Sequence, residues 1–318
     1  PSASADGRCV AFESYASNLV TGDTNLVLDI FVHDLQSGMT RRASIDSSGM
    51  EGNDISFDPS ISADGQYVVF TSYANNLVTG DTNAVGDVFI RDFQSGTTSR
   101  VSIDSSGVQG NGASEAPSIS ADGRYVAFGS VATNLVAGDT NGAEDVFVHN
   151  RLTGLTYRVS VDSFGTESNC PSSAPSISAD GRFVAFESGA SNLVRGDTNG
   201  TTDVFVHDLR SGTTSRASVD SVGAQGNDFS SAPSISADGR SLAFESFASN
   251  LVQGDTNSFW DIFDHALSDA LGTKYCFANM NSTGAPADLS ASGSASSSAG
   301  DLMLNASPVP DQHGIFFH

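Results

Sequence analysis

Lysine is almost missing from this chain. Lys274 is the only one, and 14 basic residues face 37 acidic ones, for a net charge of −23 and a pI near 4.2. So few cations argue against nucleic acid and anionic membrane as partners, because phosphate binding needs a positive surface. Cysteine is scarce as well: Cys9, Cys170 and Cys276 show no zinc-site spacing, and their odd number allows one disulfide at most. No apolar run approaches the roughly 18 residues needed to cross a bilayer, so no membrane span is expected. Helical periodicity is absent, and so are the GxSxG, HExxH and P-loop signatures. The chain also lacks a signal peptide. It opens at Pro1 in mid-motif, which reads as a piece of a longer secreted protein. A surplus of Asp this large repels itself unless cations screen it, which suits a secreted or cell-surface bacterial protein in a saline or calcium-rich exterior.

What the chain has is repetition. GDTNLVLDIFVHD from Gly22 returns as GDTNAVGDVFIRD from Gly80, GDTNGAEDVFVHN from Gly138, GDTNGTTDVFVHD from Gly196 and GDTNSFWDIFDHA from Gly254. The equivalent prolines, Pro1, Pro59, Pro117, Pro175 and Pro233, stand 58 residues apart (1 to 59, 59 to 117, and so on). A period held without insertion or deletion signals a repeat architecture. Five units are expected at 1–58, 59–116, 117–174, 175–232 and 233–281, followed by a Ser/Ala/Gly-rich linker or truncated domain at 282–318 containing the strand-like DLMLNAS and GIFFH.

Each unit offers four strand signals, clearest in the second: PSIS (59–62), QYVVFTS (66–72), DVFIRDF (87–93) and TTSRVSID (97–104). ADG joins the first pair and an SG turn the second, the Asp/Gly chemistry of tight hairpins. Tyr67 and Val69 point to one face of the second strand and Val68 and Phe70 to the other, so both faces require burial. The fourth signal alternates, as an outer strand does. Four-stranded sheets buried on both faces and repeated about an axis make an all-β propeller, here five-bladed. SADGRYVAF (120–128), SADGRFVAF (178–186) and SADGRSLAF (236–244) resemble the motif of TolB-like propeller repeats, across residues 1 to about 265. Such propellers serve as binding platforms, assembly partners and accessory domains of hydrolases, so the resemblance speaks for the fold more than for a function. GTKYCFANM (272–280) stands where the fifth unit needs its fourth strand.

The acidic loop keeps the frame D-x-N-x-x-x-D in all copies: Asp23, Asn25, Asp29; Asp81, Asn83, Asp87; Asp139, Asn141, Asp145; Asp197, Asn199, Asp203; Asp255, Asn257, Asp261. Oxygen ligands at alternate positions suit Ca²⁺, which takes six to eight oxygens, and the frame is similar to the later half of the loops in other calcium-binding propellers. Up to one calcium per unit is expected, with Asn18, Asn76, Asn134, Asn192 and Asn250 available to complete the shell. The alternative is a hydrogen-bonded Asx-turn.

Catalysis needs different residues in different roles, so the places to search are those where the repeat breaks. Glu13, Glu187 and Glu245 stand where the other units carry Thr71 and Gly129, and carboxylates there suit glycoside hydrolysis or lyase chemistry. His33, His149, His207 and His265 recur with Arg91 in the second unit, either as a metal ring or as structural hydrogen-bonding groups. Phe259 and Trp260 add aromatics to the fifth acidic loop. The preferred reading is a calcium-stabilised module binding a protein or glycan through the face that carries the GDTN and GN loops. An enzyme acting on polysaccharide, or its accessory domain, and a purely structural surface protein are the alternatives.

Overall fold

The computed structural model describes residues 1–267 in full and three further strands, Cys276–Asn279, Leu289–Ser292 and Met303–Ala306, as backbone. The remainder of the expected tail, GIFFH included, lies outside the described residues. Among the described residues there is no helix, and none is therefore long and apolar enough to cross a membrane.

Five antiparallel sheets of four strands follow one another along the chain. In the second sheet the strands are Ser56–Ile61, Tyr67–Ser72, Asp87–Asp92 and Thr97–Arg100. Second strands start at Cys9, Tyr67, Tyr125, Phe183 and Ser241, again 58 residues apart (9 to 67, and so on). The fifth sheet takes its fourth strand from Cys276–Asn279, but with a register of its own: Phe263 faces Ala278, whereas in the fourth sheet Phe205 faces Arg216. Lys274, the residue aligned with Arg216 in the repeat, is therefore not the one opposite Phe263.

The double-sided apolar pattern of the second strand has the expected physical cause. Val68 and Phe70 pack toward the first sheet, together with Ala11, Ile30 and Val32, while Val69 packs toward the third with Val126 and Phe128. Four such clusters join first sheet to second, second to third, third to fourth and fourth to fifth. First strands of consecutive sheets lie side by side in the same order. Their ADG turns are linked by backbone hydrogen bonds, Ala5 N–H to Ala63 O, Ala63 to Ala121, Ala121 to Ala179 and Ala179 to Ala237, at 2.9–3.0 Å. Sheets stacked face to face with their first strands lining one side have propeller packing. Among the described residues no cluster joins the fifth sheet to the first.

The recurring histidines serve this stack. His33, His149 and His207 each hold a threonine, Thr40, Thr156 and Thr214, through Nδ1 at 2.8–2.9 Å. Thr156 and Thr214 donate onward to Ile103 O and Val161 O of the preceding repeat. In the second repeat Arg91 replaces the imidazole and donates to Thr98 and to Asp46 O. Among the described residues no histidine enters a metal-binding group, and the Nδ1 of His33, His149 and His207 is taken by a threonine of its own repeat.

Burial pulls the His149 imidazole down to about 4 and lowers His207 as well. Unfolded histidine titrates near 6.5, so between pH 6.5 and about 4 the unfolded chain binds more protons than the folded one. The stability contributed by the neutral imidazoles is complete above 6.5 and is lost as the pH falls through that window. The thermal midpoint is expected to drop between pH 7 and pH 5, and less steeply in His149→Gln; parallel profiles for the two proteins would contradict this.

Candidate functional site

The GDTN loop ends where the third strand begins, and that placement buries its last carboxylate completely: Asp29, Asp87, Asp145 and Asp203 have no exposure. Ser44, Ser102, Ser160 and Ser218, two residues past the outer strand, donate to these carboxylates at 2.5–2.6 Å. The Asn of the frame uses both ends of its amide locally. Asn25 Oδ1 accepts from Val27 N–H, closing an Asx-turn, and its Nδ2 donates to Asp29 and to Gly52 O. The other four repeats make the same Asx-turn and the same amide-to-Asp bond.

The first and last acids of the frame do converge, and in the first four repeats the charge between them is an arginine from the outer strand. Arg42 lies 3.4 Å from Asp23, 3.2 Å from Asp29 and 2.8 Å from Glu51. Arg100 pairs with Asp81 and Asp87, and Arg216 with Asp197 and Asp203. In the third repeat Asp139, Asp145 and Glu167 each bring one oxygen within 4.8 Å of the others, a spacing that can hold a metal ion. Arg158 reaches all three, at 3.6, 3.4 and 2.7 Å. Burial raises the carboxyls of Asp87, Asp139 and Asp203 while the guanidinium beside each pulls the other way.

Calcium takes its oxygens at about 2.3–2.6 Å and cannot share these oxygens with a guanidinium already among them. In the first four repeats the residues present do not fit the ion while the arginine stays. In the fifth, Asp255 and Asp261 have no arginine partner among the described residues. Nor do the recurring asparagines complete a shell. Asn76, Asn134, Asn192 and Asn250 accept from the backbone of Asn53, Asn111, Asn169 and Asn227 and so fasten each loop to the preceding repeat.

The repeat breaks at the end of the second strand, the end that carries the GDTN loop, where Glu13 and Glu187 pair beside Asp29 and Asp203. Glu13 accepts from Asp58 N–H, and Glu187 from Ala232 N–H, at 3.0 Å, each reaching a bulge residue in the first strand of the next sheet. Glu187 also takes Ser173 Oγ, and Glu245 takes Ser231 Oγ. The three glutamates expected as an acid/base set belong to three different repeats, and Glu13 and Glu187 are engaged as clasps between neighbours. Beside them lies a residue from a variable position of the D-x-N-x-x-x-D frame. Glu144 fills the space that a side chain at Gly129 would occupy. Burial, with Glu115 and Glu187 adding their charge, pushes its carboxyl up to about 7.

One position decides the shape of this end. The residue that follows the second strand is Tyr15, Tyr73, Val131 and Phe247 in four repeats and Gly189 in the fourth repeat of the series. Tyr73 stacks on Phe57 at 6.1 Å and lies over Gly86. In the fourth repeat the matching residues are Ser173 and Thr202, and a cavity of about 200 Å³ opens between Pro171, Ser173, Glu187, Ser188, Gly189 and Thr202. It is a tyrosine slot without its tyrosine, lined with hydroxyls and one carboxylate. Phe247, the counterpart of Gly189 in the next repeat, meets the half-exposed Trp260 edge-on at 5.8 Å, and Phe259 is exposed beside it.

No family model matches the chain, and no curated protein matches it. Among solved structures, TolB from Acinetobacter baumannii is similar with a TM-score of 0.50 and 17% identity, over 86% of this chain and 52% of that one. A TolB homologue from Agrobacterium tumefaciens gives 0.49 and 13%, over 87% and 78%. An oligogalacturonate lyase in complex with manganese gives 0.49 and 13%, over 83% and 60%. The chain thus spans about half the length of the first of these. The likeness establishes a TolB-like β-propeller fold.

Proposed function

We propose that the protein is a secreted propeller, its five sheets forming consecutive blades, that binds a carbohydrate at the end of the sheets where Gly189 opens the slot. The cavity carries this reading. A slot shaped for an aromatic ring accepts a ring of similar size, and hydroxyls with a carboxylate select one that is rich in hydroxyl groups. Trp260 and Phe259, on the neighbouring repeat, supply exposed aromatic faces of the kind that stack on sugars. A binding role is favoured over hydrolysis because Glu187 is held by a backbone N–H and a serine hydroxyl.

The test is binding of this chain to a glycan array, repeated with Gly189→Tyr. The tyrosine refills the slot as Tyr73 does in the second repeat, so binding of the retained glycan is expected to weaken at least tenfold with the thermal midpoint unchanged. Undiminished binding sinks the proposal, and release of shortened product from the same glycan would move the reading to an enzyme.

Calcium belongs to this proposal in the fifth loop alone, through Asp255, Asn257 and Asp261. Its sequence counterpart of the arginine is Lys274, outside the described residues. Metal analysis of the dialysed protein is expected to count one ion per chain at most; four or five would show that the arginines leave.

A further inference from the structure

Each inter-sheet contact has a leading side, given by the later repeat, and a trailing side, given by the earlier one. On the leading side Val68, Phe70, Ala74 and Leu77 are 0–1% exposed, and their equivalents Val126, Phe128, Ala132, Leu135, then Val184, Phe186, Ala190, Leu193, then Leu242, Phe244, Ala248, Leu251, are all at 2% or below. The first sheet presents the same set, Val10, Phe12, Ala16 and Leu19, and all four remain partly exposed.

The polar fastenings are missing at the same place. Asn76, Asn134, Asn192 and Asn250 each hold the connection of the preceding repeat, whereas Asn18 is exposed and makes no such bond among the described residues. Thr98, Thr156 and Thr214 donate to a carbonyl of the preceding repeat, whereas among the described residues Thr40 has His33 alone.

The fifth sheet departs from the other four on its trailing side. On the trailing side, Val32, Ile90, Val148 and Val206 are buried at the position where the fifth repeat carries Asp264, and its neighbour Ile262 is 49% exposed where Val204 is buried. An apolar leading face laid on Asp264 would bury an unpaired carboxylate, a heavy cost. A polar outer face of this kind is how repeat arrays end.

We infer that the leading face of the first sheet is an interface for one further repeat of this same type, and that neither the fifth sheet nor a second copy of this chain covers it. The occupant must bring small or β-branched apolar residues at the four trailing positions, a Gly-Asn connection for Asn18 and a backbone carbonyl for Thr40. These are the features that the first four repeats already show to their neighbours, so the surface continues an interface formed four times in the molecule.

The test compares Phe12→Ser with Phe70→Ser, in this chain and in one carrying a copy of residues 117–174 ahead of Pro1, which recreates the Ala174–Pro175 junction. In the present chain Phe12→Ser is expected to move the thermal midpoint by less than about 2 °C, and Phe70→Ser to lower it by about 10 °C. In the extended chain the midpoint of the parent should rise and Phe12→Ser should become as costly as Phe70→Ser. A large Phe12→Ser effect in the present chain overturns the inference, with light scattering assigning the cover to a second copy if dimeric and to ring closure if monomeric. A silent Phe12→Ser in the extended chain overturns it equally. Should the extended chain not fold, Asp264→Val in the present chain decides. Removing the carboxylate makes the fifth trailing face apolar, so concentration-dependent association that Phe12→Arg reverses is expected, and no association overturns the inference.

Discussion

Arg158→Ala is expected to cost the fold about 3–5 kcal/mol, because the guanidinium is nearly buried and its removal strands Asp145, which has no exposure, beside Asp139 and Glu167. Chemical denaturation measures the loss. The same variant should gain something the parent lacks in that repeat. With the arginine gone, three carboxylates whose oxygens lie within 4.8 Å of one another remain without a cation. Calcium at about 10 mM should then restore about 1.4 kcal/mol by mass action, given an affinity on the order of 10⁻³ M. If calcium stabilises the parent and Arg158→Ala by equal amounts, the guanidinium is not the cation that balances this loop. A methionine in place of the arginine separates charge from packing, since it fills the stem's volume and leaves the acids unpaired.

Phe128→Ala should be comparably damaging, at about 3–5 kcal/mol. The ring stacks on Phe147 with centroids 6.0 Å apart and packs into the cluster that fastens the third sheet to the second, with Val69, Val88 and Ile90 on the other side. In a stack of sheets each repeat is held by its neighbours only, so the loss is concentrated at one interface. Limited proteolysis is expected to cut first between the second and third repeats in the variant. A variant that loses stability with its cleavage pattern unchanged would show that the sheets unfold as one body and not interface by interface.

Much of this was legible before any coordinates. The exact 58-residue period, the ADG and SG turns and the double-sided apolar second strand led to antiparallel four-stranded sheets stacked face to face, and Val68, Phe70 and Val69 pack to the two sides as their alternation requires. The GDTN loop is legible in the sequence as a place where like charges meet a cation, and the structure adds an arginine of the chain itself to that place in four repeats. The signal was present: Arg42, Arg100, Arg158 and Arg216 recur at the same interval in a chain with 14 basic residues in all. What hid it is distance along the sequence, since the arginine follows its first acid by 19 residues (23 to 42) and meets it only after the third and outer strands pair. Glu144 is hidden in the sequence for a related reason. Its carboxyl is raised by burial and then by Glu115 and Glu187, which come from other repeats.

The sequence by itself determined the unit: its length, its four strands, its turns and the residues that must be buried on each face, because these follow from local periodicity and from the conformational demands of Asp-Gly and Pro. Tertiary structure alone decided which charge balances the acidic loops, which glutamates are clasps between neighbours, and that Gly189 leaves a slot where other repeats have a side chain. It alone showed, among the described residues, that the first sheet's leading face stays partly exposed where its four equivalents are buried. Those outcomes depend on contacts between repeats, and near-identical units written in a line carry no record of which faces meet.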